Sequence, residues 1–408
     1  MNQRNPVGAP VVIAIGGLAV LGPFAIDMFL PSLPQMAGDL GVTAAAVQLT
    51  LTVYLVALGA GQLVAGPMAD SFGRRRPLLF GLGAFIVGGI ICAIAPSLPV
   101  LLAGRVLQGL GAALALVVAN ASVRDRTSGA EASRLFAVIM TIGGLGPVVA
   151  PAMGGIVDVL AGWRGVLTLM TLIGVVAGVL ALVALKESLP VERRIPFRPA
   201  AIGRSARDIL RSPAFLVPAL ALATAFMFLF VYIGGASFVY QDVFGLDPAT
   251  FGLIFGLTGV AVVVGAVGSG VWMRSAAPGR VAVISSIVML VGVILAGTLV
   301  GTGAGLTGAV IGMGVALLGL GAAEPALMTM VMGSGDHGLG MRAAVLGALQ
   351  YLLAASATPL VGTLLGPDPT PWLIAMTGTA LLAPAILLFA ALRTRHAVGK
   401  QDAVEASD

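Results

Sequence analysis

Three charged residues lie inside long apolar segments of this 408-residue chain. They are Asp27 in FAIDMFLPSLP, Arg105 in LLAGRVLQGLGAAL and Glu324 in GLGAAEPALM. Charged side chains are rare in such segments because removing them from water is costly, and those that occur usually serve a function. A carboxyl group that is costly to ionise can bind and release a proton in each working cycle, whereas arginine keeps its charge. We therefore predict a proton-coupling site made by Asp27 and Arg105, with Glu324 as a further candidate.

Asp27 and Arg105 are predicted to lie at similar depth. Counted at 1.5 Å per residue, Asp27 lies about 25 Å from the inner start of its segment, and Arg105 about 10 Å from the outer start of its own. Their ion pair could drive proton release and uptake as it forms and breaks. Two alternatives stay open: Asp27 is a boundary acid in water, or Arg105 is fixed by helix carbonyl groups. Glu324, about 27 Å from its outer start, would face a cytoplasmic gate.

Five other side chains are candidates for the wall of a substrate cavity. Tyr54 and Gln62 are eight residues apart and share one helix face, and Asn120 is a polar residue in another apolar segment. Hydrogen bonding between helices explains these three polar residues equally well. Phe24 and Met28 would add apolar surface, as is usual in sites for small molecules.

The short loop GPMADSFGRRRP, residues 66–77, combines glycines, an acid and arginines. Gly66 and Gly73 would permit a tight turn between two helices, and Asp70 can face the N-terminus of a neighbouring helix. The arginines that begin with Arg74 would bind anionic lipid headgroups. Headgroup binding explains the arginines alone and leaves the glycines and the acid unexplained. The combination of Gly66, Asp70, Gly73 and Arg74 in one short loop therefore needs a further explanation.

The fifth apolar segment contains GGLGPVVAPAMGG at residues 143–155, with five glycines and two prolines. Prolines bend a helix, and glycines let two helices approach closely. This composition predicts a hinge between two halves of the molecule. The hinge candidates are Gly146, Pro147, Pro151, Gly154 and Gly155.

Helices that cross a membrane must position these residues. Apolar residues make up 58% of the chain and charged residues 10%, against roughly 45–50% and about 25% in soluble proteins. The composition excludes an ordinary soluble protein, and at about 20 residues per crossing it predicts an all-α membrane protein with twelve spans. The predicted spans are at about 10–32, 44–66, 77–95, 98–119, 134–157, 164–185, 213–234, 249–272, 281–301, 305–332, 342–365 and 371–392.

The positive residues predict the orientation, because cytoplasmic loops retain Lys and Arg. Of the 22 cationic residues, 20 fall on one side of the predicted spans, and only Arg105 and Arg164 do not. Both termini and the central loop are therefore predicted to be cytoplasmic. The predicted units are an N-terminal six-helix bundle (1–185), the central loop (186–212), a C-terminal six-helix bundle (213–392) and a tail (393–408).

Several function classes lack support in the sequence. The net charge of +5 reflects topology, so we expect no nucleic-acid partner. With Cys92 as the single cysteine we expect no disulfide framework, no metal and no cofactor. A Walker A motif is absent, so ATP is not expected to supply the energy. Protease and hydrolase signatures are also absent, and we predict neither an enzyme nor a sensor.

These motifs together resemble the major facilitator superfamily, and within it the drug–proton antiporters of the bicyclomycin and chloramphenicol resistance (Bcr/CflA) type. GPMADSFGRRRP is similar to the signature between helices two and three, LLAGRVLQGLGAA to that of helix four, and GPVVAPAMGG to the antiporter motif of helix five. The resemblance implies that Asp27 carries the proton and that Arg105 modulates it. It also implies that Asp70 closes the cytoplasmic gate against the start of helix eleven.

By this resemblance we expect a carrier in the bacterial inner membrane that works by alternating access. It would export small amphipathic drugs, either multidrug or phenicol- and bicyclomycin-like compounds, in exchange for protons, and we expect it to be a monomer. A proton-coupled importer of a small metabolite is the alternative on the same fold. The direction of transport separates the two hypotheses.

Overall fold

The computed structural model describes residues 8–127, 129–335 and 338–405, and these residues form helices and no strand. Arg4, which contributes to the charge argument, and the last three residues of the predicted tail lie outside them. The predicted all-α class is confirmed for the described chain. The α-helices are α1 Ala9–Asp27, α2 Leu33–Leu40, α3 Ala44–Phe72, α4 Arg75–Ala93, α5 Leu98–Arg126, α6 Gly129–Ala184, α7 Pro199–Leu210, α8 Pro213–Phe238, α9 Pro248–Trp272, α10 Pro278–Leu299, α11 Gly305–Met332, α12 Leu339–Leu364 and α13 Thr370–Glu405.

Ten helical stretches of the described chain are long and apolar enough to cross a membrane. Two of them are long enough for two crossings: Thr141–Ala184 has 44 residues and Pro278–Met332 has 55. The first is interrupted at Gly162, whose φ of 64° is not helical. The second is interrupted by a π-helical turn that contains Gly303 at φ 93°. Residues 129–161 are called α6a below, and residues 163–184 α6b.

Several predicted helix ends are wrong, and two of them lie beside the candidate site residues. The span expected at 10–32 ends as an α-helix at Asp27, and a 3₁₀ turn at Leu30–Ser32 leads into α2. Pro31 and Pro34 lack the N–H groups that would continue the α-helical ladder. The span expected to end at residue 66 continues to Phe72, because Gly66 keeps a helical backbone and the chain leaves the helix only at Gly73.

The central loop contains a helix that the sequence analysis did not predict. Helix α7 begins at Pro199, and proline is favoured at the first position of a helix. Ala206 and Ile209 pack against the core of the C-terminal helices, whereas Arg204 and Arg207 are exposed. This amphipathic helix therefore lies against the ends of α8 and α12.

Two antiparallel helix pairs join the helices before the central loop to those after it. In the first pair, α3 lies against α12, and a side chain at Gly59 would contact Tyr351. In the second, α6a lies against α9, and a side chain at Gly252 would overlap the carbonyl of Pro151. Small residues are needed at both places, because helices in lipid gain stability from close packing rather than from the hydrophobic effect.

Candidate functional site

Arg105 lies on α5 with a side chain that is 1% exposed, and each of its nitrogen groups has a hydrogen-bond acceptor. Nη2 donates to the Ala25 carbonyl of α1 (2.7 Å) and Nε to the Thr50 carbonyl of α3 (3.3 Å). Nη1 donates to Oε1 of Gln108, one turn along α5 (2.9 Å). One guanidinium group thereby connects three helices.

Two aromatic rings enclose the same guanidinium group. Its carbon lies 4.4 Å from the centroid of the Phe29 ring and 4.4 Å from that of the Tyr54 ring. The Tyr54 hydroxyl in turn donates to the Gly22 carbonyl (3.4 Å). A cation held between two rings away from water gains stability from both π faces. Arg105 is therefore fixed in place, as the carbonyl-bound alternative from the sequence anticipates.

Asp27 is the last residue of α1 and is only 4% exposed. It is thus enclosed by protein, which excludes a boundary acid in water. In the described chain its carboxyl group has no hydrogen bond and no ion pair, although Tyr54 and Tyr351 lie within electrostatic reach. The expected ion pair with Arg105 is not formed in this conformation, because the donors of Arg105 are bound elsewhere.

The five predicted wall residues differ in their surroundings. Phe24 and Asn120 are half-buried. Met28 and Tyr54 are fully buried, and Gln62 is buried at the contact between α3 and α12. In this conformation Phe24 and Asn120 therefore keep partial exposure, while protein encloses the other three.

Glu324 lies half-buried on α11, and the helix continues through the following Pro325 without a break. In the described chain the Glu324 carboxyl group has no hydrogen bond and no ion pair. Tyr351 on α12 lies within its electrostatic reach. Glu324 therefore resembles Asp27 as a carboxyl group within the membrane that has no fixed partner.

At the gate loop, the residues between α3 and α4, Gly73 has a φ of 86°, a conformation that favours glycine. Gly66, which was expected at the same turn, lies inside α3, so that expectation is wrong. Arg74 is 9% exposed and does not point to lipid headgroups. Its Nε donates to Asp125 of α5 (2.9 Å) and its Nη1 to Asp70 (2.5 Å). The gate loop is thus tied to α5 by an ion-pair network.

Asp70 faces this network rather than helix α12, which is the eleventh predicted span. Its side chain is 47% exposed and pairs with Arg74. In the described chain no hydrogen bond or ion pair joins the Asp70 carboxylate to the beginning of α12, where the resemblance placed its partner. The closed-gate contact therefore does not occur in this conformation.

A segment of the central loop, residues 186–197, covers the gate loop. The Glu187 carboxylate accepts hydrogen bonds from the backbone N–H groups of Arg74 (2.9 Å) and Arg75 (3.2 Å) at the start of α4. Ser71 donates to the Ile195 carbonyl (2.6 Å). Partial burial acts to raise the pKa of Glu187, but its four N–H donors hold the pKa below the ordinary value. Glu187 therefore stays ionised and caps α4.

Asp125 and Glu187 were not among the site residues predicted from the sequence. Asp125 lies between Arg124 and Arg126 just after a predicted span, so the sequence does contain a charged cluster at this place. Glu187 is 113 positions from Arg74, and nothing local in the sequence indicates that it caps α4. Both residues serve the gate loop in this structure.

We expect Asp125→Asn to loosen the segment 186–197. Asp125 also accepts a hydrogen bond from Ser188 (2.9 Å), so the change weakens two contacts at once. Loss of a charge-assisted hydrogen bond costs about 1.5 kcal/mol, which corresponds to roughly tenfold faster trypsin cleavage at Arg193. Asp208→Asn, at an exposed acid of α7, is the control. Equal cleavage rates in the two variants would contradict the network.

The hinge motif lies between α1 and α9. A side chain at Gly154 would overlap the Met28 carbonyl, and one at Gly146 would collide with Pro23 of α1. On the opposite side a side chain at Gly155 would overlap the Pro248 carbonyl of α9. The glycines therefore allow α6a to touch both helices.

The prolines of the motif do not interrupt α6. Pro147 and Pro151 keep helical backbone angles, and the break comes at Gly162. The Pro151 carbonyl lies where a side chain at Gly252 of α9 would be, and the Pro147 carbonyl would be 3.2 Å from a Cβ added at Gly259. The motif therefore works in this structure as a close-packing surface between two sets of helices.

Polar contacts between the two sets of helices cluster just beyond Asp27. Ser237 of α8 donates to the Leu30 carbonyl (2.6 Å), and Gln241 donates to the Pro31 carbonyl (2.9 Å). These bonds hold the turn that follows α1. The bundle is therefore closed by hydrogen bonds at the end where α1 finishes.

Several known proteins are similar to this chain in sequence. The model of the Major Facilitator Superfamily matches residues 15–337. The uncharacterised MFS-type transporter YdgK of Bacillus subtilis is 36% identical over 372 residues, which are 88% of this chain and 90% of the relative. The family resemblance drawn from the motifs is confirmed.

Two further relatives carry names from drug resistance. The bicyclomycin resistance protein homolog of Haemophilus influenzae is 31% identical over 62% of this chain and 64% of its own length. The chloramphenicol resistance protein of Pseudomonas aeruginosa is 39% identical over 40% of this chain and 39% of its own length. This chain thus spans less than two thirds of either relative.

Solved structures share the fold at low sequence identity. The D-xylose–proton symporter superposes with a TM-score of 0.72 at 14% identity and covers 94% of this chain and 96% of its own. The human organic anion transporter MFSD10 superposes with a TM-score of 0.67 at 21% identity. The superposition covers 94% of this chain and 100% of the transporter chain. The chain therefore belongs to the major facilitator superfamily and is a multi-pass protein of the bacterial inner membrane.

Proposed function

We propose that this protein is a proton-coupled antiporter that exports small amphipathic drugs from the bacterial cytoplasm. The observation that carries the proposal is the state of Asp27, a buried carboxyl group without a hydrogen-bond or ion-pair partner in the described chain. A buried carboxylate without a partner is strongly disfavoured, so the group binds a proton or a substrate group. The names of the drug-resistance relatives support the substrate class.

The proposed topology has twelve crossings with both termini in the cytoplasm. The breaks at Gly162 and Gly303 support it, because each divides one overlong helical stretch into two lengths that fit a bilayer. The bundles 1–185 and 213–392 form the two halves, joined by the central loop. The gate loop then lies on the cytoplasmic side and the turn Leu30–Ser32 on the periplasmic side.

Arg105 is proposed to act on Asp27 through the backbone they share. It binds the Ala25 carbonyl, two residues before Asp27, so a movement of α5 against α1 changes the position of a positive charge near the carboxyl group. A nearby positive charge favours proton release and its withdrawal favours uptake. This coupling converts movement of helices into movement of protons.

Alternating access requires the hydrogen bonds at the periplasmic end to break. We expect Ser237→Ala combined with Gln241→Ala to remove the two bonds to the turn after α1. At about 1 kcal/mol each, the change favours the outward-open state by roughly 30-fold. Spin labels at Ser97→Cys and Thr302→Cys, in a Cys92→Ser background, would report a longer distance across the periplasmic face. Thr363→Ala, which removes a hydroxyl bonded within its own helix, should leave the distance unchanged.

The proposed function is tested with purified protein in proteoliposomes. Addition of chloramphenicol to the cytoplasmic side should drive proton movement in the opposite direction, and an imposed proton gradient should drive uphill drug movement. Cells without the protein should accumulate more drug. Absence of any drug-driven proton movement across a panel of antibiotic classes would overturn the proposal, as would transport of a nutrient into the cell.

A further inference from the structure

Three ionisable side chains occupy successive heights in the bundle. Heights are counted here from the end that holds the gate loop, at about 1.5 Å per helical residue. Glu324 lies eight residues before the end of α11, at about 12 Å, and Tyr351 lies twelve residues after the start of α12, at about 18 Å. Asp27 lies eighteen residues after the start of α1, at about 27 Å. By this count Tyr351 lies at a height between those of Glu324 and Asp27.

Tyr351 also lies between the two halves in the plane of the membrane. On one side its Cβ is close to Gly59 of α3, where an added Cβ would be 3.0 Å away. On the other side its ring meets the Phe226 ring of α8 edge to face, with 6.1 Å between centroids. Both Asp27 of the first half and Glu324 of the second act on its hydroxyl electrostatically. The hydroxyl has no hydrogen-bond partner in the described chain.

Among the residues that the structure describes, no cation forms an ion pair with either carboxyl group. Tyr54 of α3 and Tyr351 of α12 lie within electrostatic reach of Asp27, and Tyr351 lies within electrostatic reach of Glu324. Arg105 is held by the carbonyl groups of Ala25 and Thr50 and by Gln108. With no cation paired to them, the two carboxyl groups can be neutralised by a proton. That proton can be exchanged between them through the tyrosine hydroxyl.

We propose that Tyr351 passes the proton of Asp27 to Glu324, which releases it to the cytoplasm. This inference rests on the proposed antiport. The Tyr351 hydroxyl oxygen accepts the proton of the Asp27 carboxylic acid and gives its own proton to the Glu324 carboxylate. Asp27 becomes a carboxylate, Glu324 becomes a carboxylic acid, and the tyrosine ends neutral. The net charge is unchanged until Glu324 loses its proton to water.

The experiment measures proton release after drug addition in proteoliposomes, together with drug affinity. Tyr351→Phe keeps the ring and removes the hydroxyl, so we expect roughly 100-fold slower proton release with drug Kd within twofold of the parent. Glu324→Gln should give the same defect, and Glu324→Asp should recover part of the rate. The double variant should be no slower than either single variant, because both act on one path.

Tyr240→Phe is the matched control, since it removes a buried tyrosine hydroxyl at the other end of the bundle, and its proton release should stay at the parental rate. Parental proton release in Tyr351→Phe would overturn the relay. A double variant whose defect is the product of the single defects would overturn it too. Failure of the antiport itself is distinguishable, because proton release would then persist in Asp27→Asn.

Discussion

Replacing Asp27 by asparagine is expected to abolish drug-driven proton movement, with a loss of at least roughly 100-fold. The amide has nearly the shape of the carboxyl group but cannot bind and release a proton at physiological pH. Asp27 is only 4% exposed at the end of α1, so water has little access to the site and cannot carry the proton in its place. The measurement is the pH change inside proteoliposomes after drug addition, alongside drug binding.

Asp242→Asn is the matched control for this prediction. Asp242 lies at the same end of the bundle in the π-helical turn after α8, but it is exposed. Its amide variant should exchange protons at the parental rate. If Asp27→Asn exchanged protons for drug at the parental rate, Asp27 would not be the coupling residue, and the proposed mechanism would be wrong.

The sequence predicts the class of fold well because lipid imposes a simple rule. Every crossing must be helical and apolar, so composition and segment length identify the helices of the described chain. Their ends are harder to predict, because the rule concerns lipid and not the protein contacts at the membrane surface. Helix α3 continues past Gly66 for this reason, and α7 is stabilised by packing on α8 and α12.

The candidate site is predictable in its members but not in their contacts. Asp27 and Arg105 are recognisable because a charge in an apolar segment is rare. The partners of Arg105 include the carbonyl groups of Ala25 and Thr50, and backbone atoms carry no sequence signal. Equal depth alone therefore predicted an ion pair with Asp27 that this conformation does not contain. Three-dimensional packing decides which acceptor an arginine reaches.

Arg105→Lys is expected to lower both stability and proton coupling, although it keeps the charge. A lysine ammonium is a point donor and cannot reach three acceptors in the fork geometry of a guanidinium group. Loss of two of the three bonds costs about 3 kcal/mol, measurable as a shift in unfolding by denaturing detergent. Arg164→Lys is the control, since Arg164 has one carbonyl acceptor and one ring contact outside this site.

The two readouts for Arg105→Lys separate coupling from anchoring. If Arg105 acts only as an anchor, the folded fraction of the variant will release protons at the parental rate per molecule. If it modulates Asp27 through the Ala25 carbonyl, proton release per bound drug will fall in the folded fraction, and its dependence on external pH will change. We expect the second result, because the hydrogen bond to the Ala25 carbonyl holds a buried positive charge two residues along the backbone from the proposed proton carrier.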